Sequence, residues 1–185
     1  MSKIGCKHMV FQPASTDPQT PNAGIWLAGL VEANLTLTNA SGELYADNIR
    51  WESEDQFASG SLATEIADLT LDKQATLFGH TYSTQDGLTK KADDSSPYGK
   101  LGYVRTLSRR GVGKVHQAVI FVRSKPVEQN DSVSTKGSSI EYQTNPVSFN
   151  IDAQDDGKWV TLKEFDTEEA AITYVDTECG YTAEP

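Results

Sequence analysis

The sequence predicts a mainly β domain, most simply a two-sheet sandwich or flattened barrel with a helix packed on its side. Three observations carry that expectation. Alternating or apolar runs of strand length outnumber helical stretches by about seven to two, and turn residues separate them. Apolar residues make up 37% of the 185-residue chain at a mean hydropathy of −0.46, and they spread evenly, as in a folded domain. That length suits a single domain with a real core.

The stretch FQPASTDPQTPNAG near the start is too broken by proline for a helix or a central strand and reads as an extended loop. Residues 30–38 alternate, with Val31, Ala33, Leu35 and Leu37 on one face and Glu32, Asn34, Thr36 and Thr38 on the other, which predicts a half-buried strand. The following ASGELYADNIRWESEDQF mixes Leu44, Tyr45, Ile49, Trp51 and Phe57 with many acids, so it suits a long excursion carrying apolar anchors. Residues 60–67 alternate again, Leu62 and Ile66 flanking Thr64.

The spacing predicts a helix over 69–78, capped by Asp68 or Thr70 and stopped by Gly79, with Leu71, Ala75 and Phe78 on its core face. QDG at 85–87 is a turn and KKADDSSPYGK a loop. Residues 101–107, the tight RRGVG and residues 114–125 predict a hairpin whose second arm, VHQAVIFVR, is the most hydrophobic strand of the chain. A further strand run over 138–152 is interrupted at Asn145-Pro146, which predicts an edge or bulge there. DDG at 155–157 turns the chain into WVTLKEF, and a second short helix follows, with Asp166 and Glu169 spaced as a capping box and Gly180 after its last turn.

The formal charge of −10 excludes a protein that grips nucleic acid through a clustered cationic surface. Its distribution is uneven. Residues 41–72 hold eight acids against Arg50 alone, a net of −7, whereas residues 100–125 hold seven bases and no acid, a net of +7. One reading makes these the solvated faces of different strands. The other makes the acidic segment of one copy, with Glu52 and Glu54, meet the basic segment of another, with Arg109 and Arg110, in a head-to-tail contact that generates rings or filaments.

No apolar run has the length of a bilayer span, and the start MSKIGCKHMVFQPAST lacks a long apolar leader, so no membrane association is expected. Cys6 and Cys179 lie near opposite ends of the sequence without CxxC spacing. Free thiols are the expectation, and a disulfide joining the termini is the alternative. Cys6 and His8 form a CxH too short of ligands for a metal site. His116 has no nucleophile motif beside it and reads as a satisfied strand histidine. The acid pairs Glu52/Glu54, Asp93/Asp94 and Asp155/Asp156 lie in polar stretches without an evident sugar cleft. GVGK at 111–114 sits in a hairpin turn and lacks the glycine spacing of a phosphate loop. The expectation is therefore a protein with no catalytic residue, no cofactor and no metal.

The order of segments resembles the major tail tube proteins of long, non-contractile-tailed bacteriophages, in the version found among phages of Gram-positive hosts. The resemblance rests on GLVEANLTLTNASGELYADNIRWE, FASGSLATEIADLTLDKQATLFGH, YGKLGYVRTL with the hydrophobic strand after it, and TKGSSIEYQT, and covers residues 1–152. It implies the phage tail tube fold, with a core at about 25–152 and with the loop 11–25 and the segment 153–185 as extensions. It also implies a structural role in the virion tail: six copies form a ring by sheet continuation, and rings assembled in the host cytoplasm stack into a conduit for DNA. DNA would pass through the lumen without specific binding, since an acidic lining repels phosphates. The implied partners are further copies, a tape-measure protein, a tail terminator and distal tail or initiator proteins. TKGSSIEYQT would be a core strand after a loop. Residues 41–57 would be a long hairpin arm reaching a neighbour, with Leu44, Tyr45, Ile49 and Trp51 as its apolar anchors.

Two other expectations compete. A tube protein of a contractile injection or secretion machine would have a related fold and a sheath partner. A β-sandwich carbohydrate-binding module would share strand content and acidity but needs an exposed aromatic platform, whereas Trp26, Trp51 and Trp159 fall in separate segments.

Overall fold

The computed structural model describes residues 2–15, 20–46, 49–130 and 143–183, with the backbone alone at 43–46 and 49–53. The described chain runs through β1 (Ser2–Pro13), β2 (Ile25–Leu27), β3 (Leu30–Ala46), β4 (Ile49–Ile66), α1 (Leu71–Phe78), β5 (Thr81–Ser83), β6 (Gly87–Thr89), β7 (Gly99–Arg109), β8 (Gly113–Glu128), β9 (Asn145–Ile151), β10 (Val160–Phe165) and α2 (Glu168–Glu178). The fold is mainly β and antiparallel, with two flanking helices, as the alternation predicts.

Eight strands form one sheet in the order β2-β1-β7-β8-β9-β4-β3, with β10 added on β8, while β5 and β6 make a small separate hairpin. The branch point explains the shape. One edge of β8 pairs with β7, and the other is shared, residues 116–121 facing β10 and residues 124–128 facing β9. The sheet divides there, so β9, β4 and β3 fold over the half that contains β1, β7 and β8. The result is the flattened-barrel form of the expectation, built from one folded sheet.

Alternation on the central strands then sorts side chains between two cores. Met9, Phe11, Leu101, Tyr103, Val119 and Phe121 point between the halves, where they meet Leu62, Phe149 and Ile151. Val10, Val104, Ala118 and Ile120 point the other way and pack under Ala171, Val175 and Cys179 of the α2 segment. A strand covered on both faces needs apolar residues at nearly every position, which is why VHQAVIFVR lost its alternation. Helix α2 reaches the sheet because Gly102 has no side chain: a Cβ there would lie 2.8 Å from Val175 and 2.9 Å from the Cys179 sulfur.

The domain limits differ from the sequence expectation at both ends. Residues 2–13 form a central strand paired with β7 and β2, and the proline-rich loop begins only after Pro13. The segment after 152 supplies β10 and the α2 layer, so the second core depends on it. The loop signal of the prolines masked the short apolar run MVF before them.

Smaller differences have local causes. Helix α1 starts at Leu71 with Thr70 at its N-cap, and Gly79 ends it in the left-handed conformation, φ 74°, donating to the Ala75 carbonyl at 2.9 Å. Leu77 and Phe78 are its buried residues, whereas Leu71 is 47% exposed. The cap of α2 is Thr167, whose hydroxyl accepts from the Ala170 N–H at 3.4 Å, so the Asp166/Glu169 box does not form. Asn145-Pro146 opens β9 at a locally one-sided, edge-like position, and no bulge is found there. Pro146 lies opposite Glu65 of β4, just before pairing with β8 begins at Val147, so its missing N–H costs no bond to β8. The strand expected from residue 138 is described from 145 onward, and most of TKGSSIEYQT lies outside the described residues.

Candidate assembly interface

The hairpin of β3 and β4 is the feature that sets this fold apart from a closed barrel. Its strands stay in register from Leu30 opposite Ile66 out to Ala46 opposite Ile49, with irregularities at three points. Strand β9 accompanies β4 only from Gly60 to Ile66. Beyond Gly60 the two strands pair with each other alone among the described residues, forming a free ribbon. At about 3.3 Å per residue, the nine residues of β3 that follow Leu37 and end at Ala46 carry that ribbon roughly 30 Å past the end of β9. The excursion expected at 41–57 is this ribbon, and strands rather than loops build it.

Its root is anchored by aromatics. Phe57 stacks on Trp159 with ring centroids 4.3 Å apart and planes 6° from parallel, and Trp159 in turn approaches Phe121 of the main core at 6.4 Å. Trp159 is thereby engaged, half-buried, against the core, while Trp26 stacks on His8 at 6.1 Å elsewhere on the surface. Leu44, Tyr45, Ile49, Trp51 and Glu52 lie on the ribbon strands, but their side chains fall outside the described residues. Glu54 and Asp55 are described and exposed on the ribbon.

The apolar face of β3 is not half-buried. Leu35 pairs with Leu62 and Leu37 with Gly60, so both leucines continue the face that β4 turns to the core. No layer reaches out to them, and Val31, Leu35 and Leu37 stay 57, 38 and 45% exposed. Strand β3 is also the end of the sheet path, so apart from the Val31 carbonyl, which accepts from the Cys6 thiol of β1 at 3.8 Å, its outer backbone groups pair with no strand among the described residues. An apolar face and an open edge on one strand are two unmet needs that a single neighbour can satisfy.

The basic block divides between intrachain and outward roles. Arg109, a candidate for contact with another copy, also pairs within the chain with Glu164 of β10, its guanidinium 2.9 and 3.0 Å from the two carboxylate oxygens. Arg105 donates to Gln117 at 2.7 Å. Arg110 stands exposed in the β7–β8 turn. Arg123 and Lys125, counted in the basic block but not singled out within it, both approach one ring: the guanidinium lies 4.4 Å and the ammonium 5.4 Å from the centre of Tyr98. Their i, i+2 spacing on a strand was the available signal.

The histidines serve packing and local hydrogen bonds. His8 sits at a β-bulge with φ 53° and reaches Asp176 of α2 at 2.6 Å. His80 lies 2.8 Å from Asp94 and 3.4 Å from Glu128, which Lys90 also contacts, so the cluster ties the 90–94 loop to the end of β8. His116 lies 3.3 Å from the Thr106 hydroxyl, the satisfied strand position expected of it. Among the described residues no group of three or more metal-ligating side chains converges. Both cysteines are free, and burial pushes the Cys179 thiol up to about 12. Among the described residues no helix is long and apolar enough to cross a membrane.

Comparison with models of known protein families gives no match, and comparison with curated proteins gives none either.

Proposed function

We propose that this chain is a structural subunit of a phage-type tail tube, closing in six-membered rings that stack into a hollow conduit for DNA. The observation that carries the reading is strand β3, which combines an exposed apolar face with an open sheet edge and extends into a free ribbon. A neighbour that adds a strand to this edge covers Leu35 and Leu37 and pairs the outer backbone groups in one contact. Fully burying a leucine is worth about 1.5–3 kcal/mol relative to full exposure, and that gain recurs at every interface of a closed ring. The ribbon then spans to a further copy. The resemblance in segment order supports the same role and supplies its setting: the virion tail, with a tape-measure protein, a terminator and an initiator complex as partners.

The test is a pair of charges on the uncovered face. Leu35→Lys with Leu37→Lys removes little intrachain packing, so the variant is expected to keep its circular dichroism spectrum and to shift its melting temperature by only a few degrees. Its sedimentation profile should stay monomeric at concentrations where the parent forms rings or tubes. Unchanged assembly of the variant would show that this face is not the interface.

A further inference from the structure

We infer that the basic cleft around Tyr98 is the seat of the acidic ribbon of a neighbouring copy. Two open grooves flank the Tyr98 ring, of about 440 and 310 Å³. Lys100 and Arg123 line the larger, and Lys125 lines the smaller beside Thr36, Ser61, Asn150 and one acid, Asp152. Arg123 and Lys125 both lie against the Tyr98 ring, and neither makes an ion pair among the described residues. Two like charges gathered this way repel each other, and the arrangement gains most when an anion arrives. The chain is otherwise acidic, so such a cluster stands out from the remaining surface.

The occupant is identified by charge. The ribbon is a two-stranded element on which Glu54 and Asp55 stand exposed, and Glu43 and Glu52 lie further along its strands against Arg50. Its own cleft lies at its root, since Thr36, Thr38 and Ser59 line the smaller groove. A ribbon that leads away from that root takes its acids to the cleft of another copy, and the contact is therefore heterologous, of the kind that propagates. Charge complementarity of this sort fixes register and speeds encounter more than it adds affinity, so β3 supplies the adhesion and the cleft supplies the alignment.

The inference rests on the proposed self-assembly, and the experiment separates the two. Isotopically labelled and unlabelled full-length protein are mixed, allowed to associate, treated with a zero-length carbodiimide that joins amines to touching carboxylates, and analysed by mass spectrometry. Mixed-isotope cross-links from Lys125 or Lys100 to Glu54 or Asp55 are the expected result. Arg123→Glu with Lys125→Glu should raise the concentration needed for assembly about tenfold or more, and Glu54→Lys with Asp55→Lys should restore it in that background. Assemblies that form without those cross-links and tolerate the reversal overturn the inference and leave the tube reading intact. A parent protein that stays monomeric removes both. Retention of duplex DNA at low salt that the Arg123/Lys125 reversal abolishes would assign the cleft to phosphates instead.

Discussion

Gly102 and Cys179 form one contact, and that contact decides whether α2 can lie on the sheet. A Cβ at residue 102 would crowd Ile120, Val175 and the Cys179 sulfur, all within 2.9 Å. Gly102→Val is therefore expected to destabilise the fold by about 1–3 kcal/mol in urea titration. The parent's Cys179, buried and titrating near about 12, should resist alkylation at pH 8 until the chain unfolds, whereas in the variant it should react in native buffer. Four carboxylates give the pH dependence. Thr70 holds Asp72 low, the Lys91 N–H and His80 hold Asp94 low, and Lys7 holds Glu168 low. Burial pushes Glu128 up, but Lys90 and His80 outweigh it and leave it lowered. A carboxylate lowered in the folded state stabilises fully above its unfolded pKa and loses that contribution as pH falls through the folded one. The melting temperature should therefore fall below about pH 4, and Glu128→Gln should flatten part of that fall.

At the scale of elements, the free ribbon separates folding from assembly. Deleting residues 42–56 should leave a monomer with the parent's β spectrum by circular dichroism, because Phe57 and the strand pairs near Gly60 remain to hold the root. Tubes should vanish in the same preparation. Loss of the folded spectrum would mean that the ribbon belongs to the core. Much of this layer was legible in the sequence. The β7–β8 hairpin, both glycine stops and the alternation of Leu62, Thr64 and Ile66 appear as periodicity and turn chemistry predict. Strand β3 was legible as a strand but not in its exposure, because alternation reports which residues share a face and says nothing of what covers it. Arg109 was legible as a cation but not as a paired one, since Glu164 lies 55 positions away and meets it only through the β8–β10 pairing. The first strand was obscured by the prolines that follow it.

For the whole molecule, the division of labour follows from where burial stops. The two cores close around β1, β7 and β8, so the domain is complete on that side and its surface there is sealed by α2. On the other side the sheet ends in β3 with its apolar face uncovered. A net charge of −10 makes such copies repel each other, and screening at ordinary ionic strength confines that repulsion to separations within about 8–10 Å. Contact at β3 and alignment by the ribbon then act at short range. The most direct measurement is negative-stain electron microscopy of the purified chain across a wide concentration range, with an initiator complex added to a parallel series. Hollow tubes built from stacked six-fold rings are the predicted result. A protein that remains monomeric in both series, at every concentration, would contradict the account.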